Sequence, residues 1–248
     1  MALVWSHTTE EDHYELRSAG ATLRLYRNGV NHSQWNPNRP LGGSIWDLIT
    51  LPALHRPVGS LKDVLMLGFG AGSVGRQLQE LARVQRMVGV ELDPIHLSIA
   101  EGFFECDASC FELISADAVE WVAASQEASY DLIIDDLYGE EAGVPERYAP
   151  TDSAWFRQLA DRLRVGGLLV LNTIEPDRIQ HLPLLRDRGL KKRFPYKIAY
   201  QIEGYENRVL SFSDRPFDIE QLRENFLSIQ SRYPRCRGVE RRYHQGPL

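Results

Sequence analysis

Apolar residues along this chain come in two kinds of run, and the change between them falls near residue 60. Before that point apolar and polar residues alternate: His13-Tyr14-Glu15-Leu16-Arg17, then Ser18-Ala19-Gly20, then Ala21-Thr22-Leu23-Arg24-Leu25-Tyr26. A period of two broken by a Gly-containing turn predicts a hairpin. Asn28-Gly29 marks a further turn. The segment 36–43, rich in Pro, Asn and Gly, reads as loop, and Ile45 to Leu54 as a short helix ended near Pro57.

From Asp63 the runs become continuous: Val64 to Leu67, Met87 to Glu91, Phe111 to Ile114, Asp131 to Ile134 and Leu168 to Leu171. Such runs suit strands buried on both faces. Helical patterns stand between them, at Val74 to Leu81, Pro94 to Phe103, from Ala118, and Ser153 to Leu163. Alternating strands and helices predict an α/β fold with a doubly wound, mostly parallel sheet, here preceded by a small N-terminal β element. Tyr196 to Ile202 and Asn207 to Ser213, parted by Gly204, read as a closing antiparallel pair.

Composition narrows the partners. The chain has 248 residues, 43% hydrophobic and 25% charged, with a formal net charge of -6. An acidic whole does not favour nucleic acid or an anionic membrane. No apolar run approaches the roughly 20 residues that span a bilayer. The first residues have no basic segment followed by an apolar one, so no signal peptide is expected. Three cysteines suit a reducing compartment, and the expected location is the cytoplasm. Cys106 and Cys110 lack a His partner or a second CxxC, so no metal is expected. The basic clusters at 186–193 and 232–242 read as solvated surface or a subunit contact.

Ligands of open α/β sheets bind at the carboxyl ends of strands. Gly68-Phe69-Gly70-Ala71-Gly72 stands there, between a strand and a helix. Gly68, Gly70 and Gly72 permit a tight turn and close approach of a ligand. Ser73 replaces the third Gly of the dinucleotide pattern, which disfavours a nicotinamide oxidoreductase. Glu91, ending the next strand, is placed to accept bonds from ribose hydroxyls. Asp93 reads as the cap of the helix begun at Pro94. Asp117 is placed to meet an adenine amino group. Asp135 and Asp136 end a fourth strand, where a cationic sulfonium or an amine would offset their charge. The alternative reading there is a solvated acidic loop running on through Glu140 and Glu141. Asp131 sits at the far end of that strand. Tyr138 is expected to line an acceptor pocket; Trp35, Trp46 and His32 are candidates to close over it, with buried packing the favoured reading for each Trp.

In this order the motifs resemble the spermidine synthase family, a branch of the class I S-adenosylmethionine-dependent methyltransferase fold. Val64 to Val74 is similar to its nucleotide-binding turn, and Val90-Glu91-Leu92-Asp93 to its ribose motif. Ala116-Asp117-Ala118 resembles its adenine-side motif. Tyr130 to Asp136 resembles its catalytic strand, with Asp136 on the catalytic aspartate, and Ile45 to Leu54 the segment before the core. The resemblance implies residues 1–60 as an N-terminal hairpin or lid, 61–215 as a nucleoside-binding domain and 216–248 as a C-terminal helix and basic tail. It implies Asp136 and Asp135 as catalytic, Gly68, Gly70, Gly72, Glu91 and Asp117 as cofactor-binding, and Tyr138, Asp47 and Trp46 as the substrate pocket.

Three departures redirect the expected reaction. Ala71 stands where the family usually has an Asp that holds the amine of decarboxylated S-adenosylmethionine. Ile45 stands where it has a polyamine-pocket Tyr, and Gly139 near its second catalytic-loop Asp. A buried cation without these partners is disfavoured. The expectation is therefore a transferase that uses S-adenosylmethionine, or its decarboxylated form, to move a methyl or alkyl group to a small acceptor. Aminopropyl transfer is the alternative, and a non-catalytic nucleoside-binding protein a second. By analogy with the family the chain is expected to form a homodimer.

Overall fold

A computed structural model of the protein describes residues 1–125, 129–141 and 144–248, with the side chains of residues 140–145 left aside. Strands β1 (Ala2–Thr8), β2 (His13–Ala19), β3 (Thr22–Arg27) and β4 (Val30–Trp35) form an antiparallel meander. The alternation identifies β2 and β3. It does not identify β1, whose side chains are nearly all exposed, or β4, whose inward face carries the polar Ser33 beside Trp35.

Helix α1 (Ile45–Thr50) runs into a 3-10 turn, Leu51–His55, where Pro52 ends the α-helical ladder. The chain then lays down β5 (Asp63–Leu67), α2 (Ser73–Gln77) continued by a π-helical turn (Leu78–Ala82), β6 (Arg86–Glu91), α3 (Pro94–Gly102) and β7 (Phe111–Ser115). Next come α4 (Ala118–Ala124), β8 (Tyr130–Asp135), β9 (Tyr138–Glu141), β10 (Val144–Arg147), α5 (Ser153–Asp161) and β11 (Leu163–Thr173). Helices α6 (Pro183–Arg186) and α7 (Arg188–Arg193), strands β12 (Tyr196–Ile202) and β13 (Arg208–Ser213), α8 (Ile219–Arg232) and β14 (Tyr243–Pro247) complete it.

The main sheet has eight strands in the order β14-β12-β13-β11-β8-β5-β6-β7. From β7 to β11 the pairs are parallel, whereas β13 runs antiparallel to both its neighbours. The expected doubly wound, mostly parallel sheet is therefore present. Side chains alternate between two cores. Val64, Met66, Leu132 and Ile134 pack on the face shared with Leu16 and Leu25 of the meander. Leu65, Leu67 and Ile133 pack on the opposite face with Phe156.

Two segments depart from the sequence pattern. The residues after β8, for which a solvated acidic loop is the alternative reading, pair along their backbone as antiparallel strands β9 and β10; the Glu140 and Glu141 side chains lie outside the described residues. The tail closes as β14 against β12, a mostly exposed edge strand with little apolar signal.

The winding reverses between β5 and β8, so a crevice opens at their carboxyl ends. Gly68 has a φ of +81°, and a Cβ there would stand 2.2 Å from the Asp136 carbonyl oxygen. We predict that Gly68→Ala costs more than about 2 kcal/mol in chemical denaturation. A loss within about 0.5 kcal/mol, the range of an ordinary surface substitution, would show that the strand ends can part freely.

Candidate functional site

A cavity of about 650 Å³ occupies that crevice. Its floor is the glycine turn and the ends of β6 and β8, and its roof is the meander and α1. That size is typical of sites that enclose a small molecule.

The turn is held open by glycine. Gly68, Gly70 and Gly72 all have positive φ. The Gly70 N–H donates to Glu91 Oε2 at 2.7 Å, and the Ala71 N–H donates to Ser33 Oγ at 2.9 Å. Ser73 Oγ accepts the Gln34 N–H at 2.7 Å. In the sequence Ser73 counts only against a dinucleotide site; in the structure it also anchors β4 to the turn.

Glu91 ends β6 facing the cavity, its other oxygen accepting the Asp93 N–H at 3.0 Å. Burial opposes its charge, but His96 and the N–H groups of Asp93 and Gly70 outweigh burial and hold the carboxyl below its ordinary range. Asp93 caps α3 as expected, accepting the Ile95 N–H, and also takes the Tyr14 hydroxyl at 2.7 Å. Asp117 lines the cavity too. One oxygen caps α4 and the other accepts the Tyr148 hydroxyl at 2.7 Å.

Asp136 is half-buried on the cavity wall, and the Asn172 side-chain amide donates to it at 2.8 Å. Burial raises its carboxyl to about 7; Asn172 opposes the rise and the charges of Asp135 and Glu91 add to it. Asp135 does not face the cavity, contrary to expectation. Successive strand residues point to opposite faces, and Asp135 falls on the face of Ile133. There it accepts Arg147 Nη2 at 2.6 Å and the Trp155 indole N–H at 2.9 Å.

Asp47 is likewise absent from the cavity wall. It is fully buried at the start of α1, accepting from the Gly43 and Ser44 backbone, the Gln77 amide and the Tyr243 hydroxyl. Its acid belongs to the helix cap that holds β14 down. Trp46 does line the cavity, as does Tyr138, whose hydroxyl donates to the Asn172 carbonyl and accepts the Ile174 N–H. Trp35 is buried away from it, under the Arg76 guanidinium at 5.3 Å. His32 points inward, and burial lowers its imidazole to about 4. Asp131 sits at the opposite end of β8, accepting the Lys62 and Asp63 N–H groups and Arg164.

Sequence reading misses Asn172, Arg147 and His96. Asn172 and Arg147 had no local signal, because each meets its carboxylate only through the fold. His96 is one turn into a helix that begins at the ribose motif, and that spacing could have singled it out. It is buried, 3.8 Å from Glu91 and 3.7 Å from Asp93, with neither ring nitrogen hydrogen-bonded. The three cysteines are free and buried. Among the described residues no group of His, Cys, Asp and Glu could hold a metal, and no helix is long and apolar enough to cross a membrane.

This sheet order, with a glycine turn opening onto an acidic strand end, is the class I methyltransferase-like architecture. A family model described as the spermine/spermidine synthase domain matches residues 47–211, and the chain belongs to that family. A probable polyamine aminopropyl transferase of Bifidobacterium longum is 29% identical over 54% of this chain and 29% of its own length. An eEF1A lysine and N-terminal methyltransferase of Xenopus laevis is 25% identical over 68% of this chain and 26% of its own. The chain thus spans under a third of these two relatives, which are both transferases. Among solved structures, a probable spermidine synthase from Corynebacterium glutamicum superposes with a TM-score of 0.72 at 18% identity, covering 100% of this chain and 91% of that one. Human methyltransferase-like protein 13 in complex with SAH superposes with a TM-score of 0.61 at 22% identity, covering 77% and 92%.

The buried Asp47 cluster predicts a structural phenotype. Asp47→Ala strands the Gly43 and Ser44 N–H groups, the Gln77 amide and the Tyr243 hydroxyl, and should cost about 3 kcal/mol in urea unfolding. A variant of unchanged stability would refute the cap role.

Proposed function

We propose that the chain is a transferase that binds a sulfonium nucleoside of the S-adenosylmethionine type and moves its methyl or another alkyl group to a small acceptor. The observation that carries this reading is the convergence of Gly68 and Gly70 with Glu91, Asp117 and Asp136 on one cavity; Gly72, contrary to expectation, does not line it and packs against Phe69 and Cys106. The residues present fit a nucleoside. Gly68 lets the ends of β5 and β8 close up at the cavity floor, and the unbonded nitrogens of His96 leave polar capacity beside Glu91. Glu91 keeps lone pairs free for ribose hydroxyls beyond its backbone bonds. Asp117 and Ala118 stand at the adenine side.

A bound sulfonium supplies an electrophilic carbon that is already activated. The protein's contribution is then alignment, which can account for about 7–11 kcal/mol of a barrier. Asp136 accepts the proton of the attacking nucleophile as its lone pair forms the new bond to carbon. The carbon–sulfur bond breaks, and its electron pair stays on sulfur. Asn172 orients the carboxylate. Asp135 acts at one remove: paired with Arg147, it positions the strand end rather than touching the substrate.

Methyl over aminopropyl transfer is favoured by position 71. Ala71 is fully buried and its N–H is taken by Ser33, so the turn offers no carboxylate to an aminopropyl amine there. The acceptor wall of Ile45, Trp46 and Ile49 is apolar. Aminopropyl transfer is the second reading, favoured by family membership and by the acidic residues that line the rest of the cavity.

Calorimetric titration with S-adenosylmethionine and with its decarboxylated form tests the choice. Tighter binding of the intact form supports alkyl transfer; preference for the decarboxylated form overturns it. Glu91→Gln is expected to weaken 5′-methylthioadenosine binding by about tenfold or more, one charge-assisted hydrogen bond's worth. Unchanged affinity would remove Glu91 from the ribose site.

Asp136 yields a paired prediction. Turnover should rise as pH passes about 7, where its carboxyl ionises, and Asp136→Asn should abolish turnover while retaining nucleoside affinity. The same raised value means the folded state holds this proton more tightly than the unfolded chain does. Stability from it is full below the unfolded value of 3.8 and is lost as pH rises through about 7. Asp136→Asn should therefore have the higher melting temperature of the two at pH 8, and that margin should shrink at pH 5. An equal margin at both values would contradict the assignment.

A further inference from the structure

A second cavity, of about 260 Å³, lies at the same strand ends on the other side of the sheet. The pleat of β11 separates the two. Asn172 and Ile174 face the first cavity, and Leu171 and Thr173 face the second. Nothing in the proposed transfer reaction uses it.

Its lining residues reverse the acid-to-base balance of the first, with Arg147 paired to Asp135 behind the wall. Asp12, Glu91, Asp93, Asp117 and Asp136 line the first cavity against one arginine, Arg27. The second presents Arg147, Arg178 and His181 against one carboxylate, Glu175. Glu175 pairs with Arg178 at 3.1 Å, but that arginine side chain is 77% exposed, so the pair is weak and exchangeable. Ile179, Leu171 and Leu182 supply an apolar wall.

Arg147 is the built part of the site. Its side chain is only 6% exposed. Nη2 is committed to Asp135, and Nη1 reaches the Asn172 carbonyl at 3.5 Å. Its Nε is buried and has no acceptor. A buried guanidinium N–H without an acceptor is disfavoured, and an oxyanion is the group that best satisfies it. The Thr151 side chain, at the exposed rim, offers a hydroxyl.

We propose that this cavity binds a small organic anion, a carboxylate or phosphate monoester with a short aliphatic body. Arg147 takes the oxyanion from within, and Arg178 closes on it from the mouth. The aliphatic body lies against Ile179 and Leu182. The site is independent of which group the first cavity transfers.

The test uses the full chain, titrated by calorimetry with butyrate, butyl phosphate and n-butylamine at constant ionic strength. The expected result is saturable one-to-one binding of at least one of the two anions and none of the amine. Which anion binds names the head group. Arg178→Glu, an exposed change, should weaken that binding by roughly tenfold or more, since it replaces attraction by repulsion. Thr151→Trp should block it by filling the mouth. Absence of saturable binding by both anions overturns the proposal, as does full affinity in Arg178→Glu. Should Arg178→Glu fail to fold, full affinity in Thr151→Trp overturns it equally.

Discussion

The ends of β5 and β8 approach so closely that only glycine fits between them, and the geometry of the main cavity follows from that contact. The Asp136 N–H donates to the Leu67 carbonyl at 2.9 Å, and a Cβ on Gly68 would collide with the Asp136 carbonyl. The Gly68 and Phe69 N–H groups both donate to Val90. One turn is thus tied to the strands on either side of it. Those ties bring Glu91, Gly70 and Asp136 around a single space, although each comes from a different strand end. A side chain at 68 would widen the crevice and separate Glu91 and Gly70 from Asp136.

Two adjacent acids on β8 show how the pleat turns one residue type to two uses. Asp135 and Asp136 share a strand end but not an environment. Asp135 is fully buried against a cation and an indole N–H, a pairing that keeps a charge tolerable in a low dielectric. Asp136 has a neutral amide for its partner and carboxylates for neighbours, which pushes its proton affinity up toward neutral pH. Acids whose surroundings differ in this way are suited to different tasks: the one holds the strand end, the other exchanges a proton. Arg147 links the two through its contacts with Asp135 and the Asn172 carbonyl.

What the sequence disclosed follows the same division. The parallel strands were legible because burial on both faces writes continuous apolar runs. The glycine turn, Glu91, Asp117 and Asp136 were legible because each sits at a fixed offset from such a run. Strands β1, β4 and β14 left little trace, since an exposed or polar edge strand lacks the alternation that a half-buried one shows. Asp135 and Asp47 were acids in suggestive places, and only packing separates a buried ion pair or a helix cap from a ligand contact. Asn172 lies 36 residues from Asp136, and Arg147 reaches Asp135 only because β10 folds back along β9, so no regular spacing marks either.

The meander adds directional polar contacts to the apolar seam that Leu16 and Leu25 share with the main sheet. β4 meets the glycine turn through Ser33 and Gln34, and β2 meets α3 through Tyr14 and Asp93. His32 packs on His96 with ring centres 5.2 Å apart. These contacts add direction to the packing of the roof over the glycine turn. The acceptor end is built differently, from Ile45, Trp46 and Ile49 on α1. That helix is set by Asp47, which in turn holds the Tyr243 hydroxyl of the last strand. The α1 wall of the cavity therefore rests on a helix anchored by the last strand, while the floor rests on the glycine turn. The two walls have separate supports, so a change in one need not disturb the other.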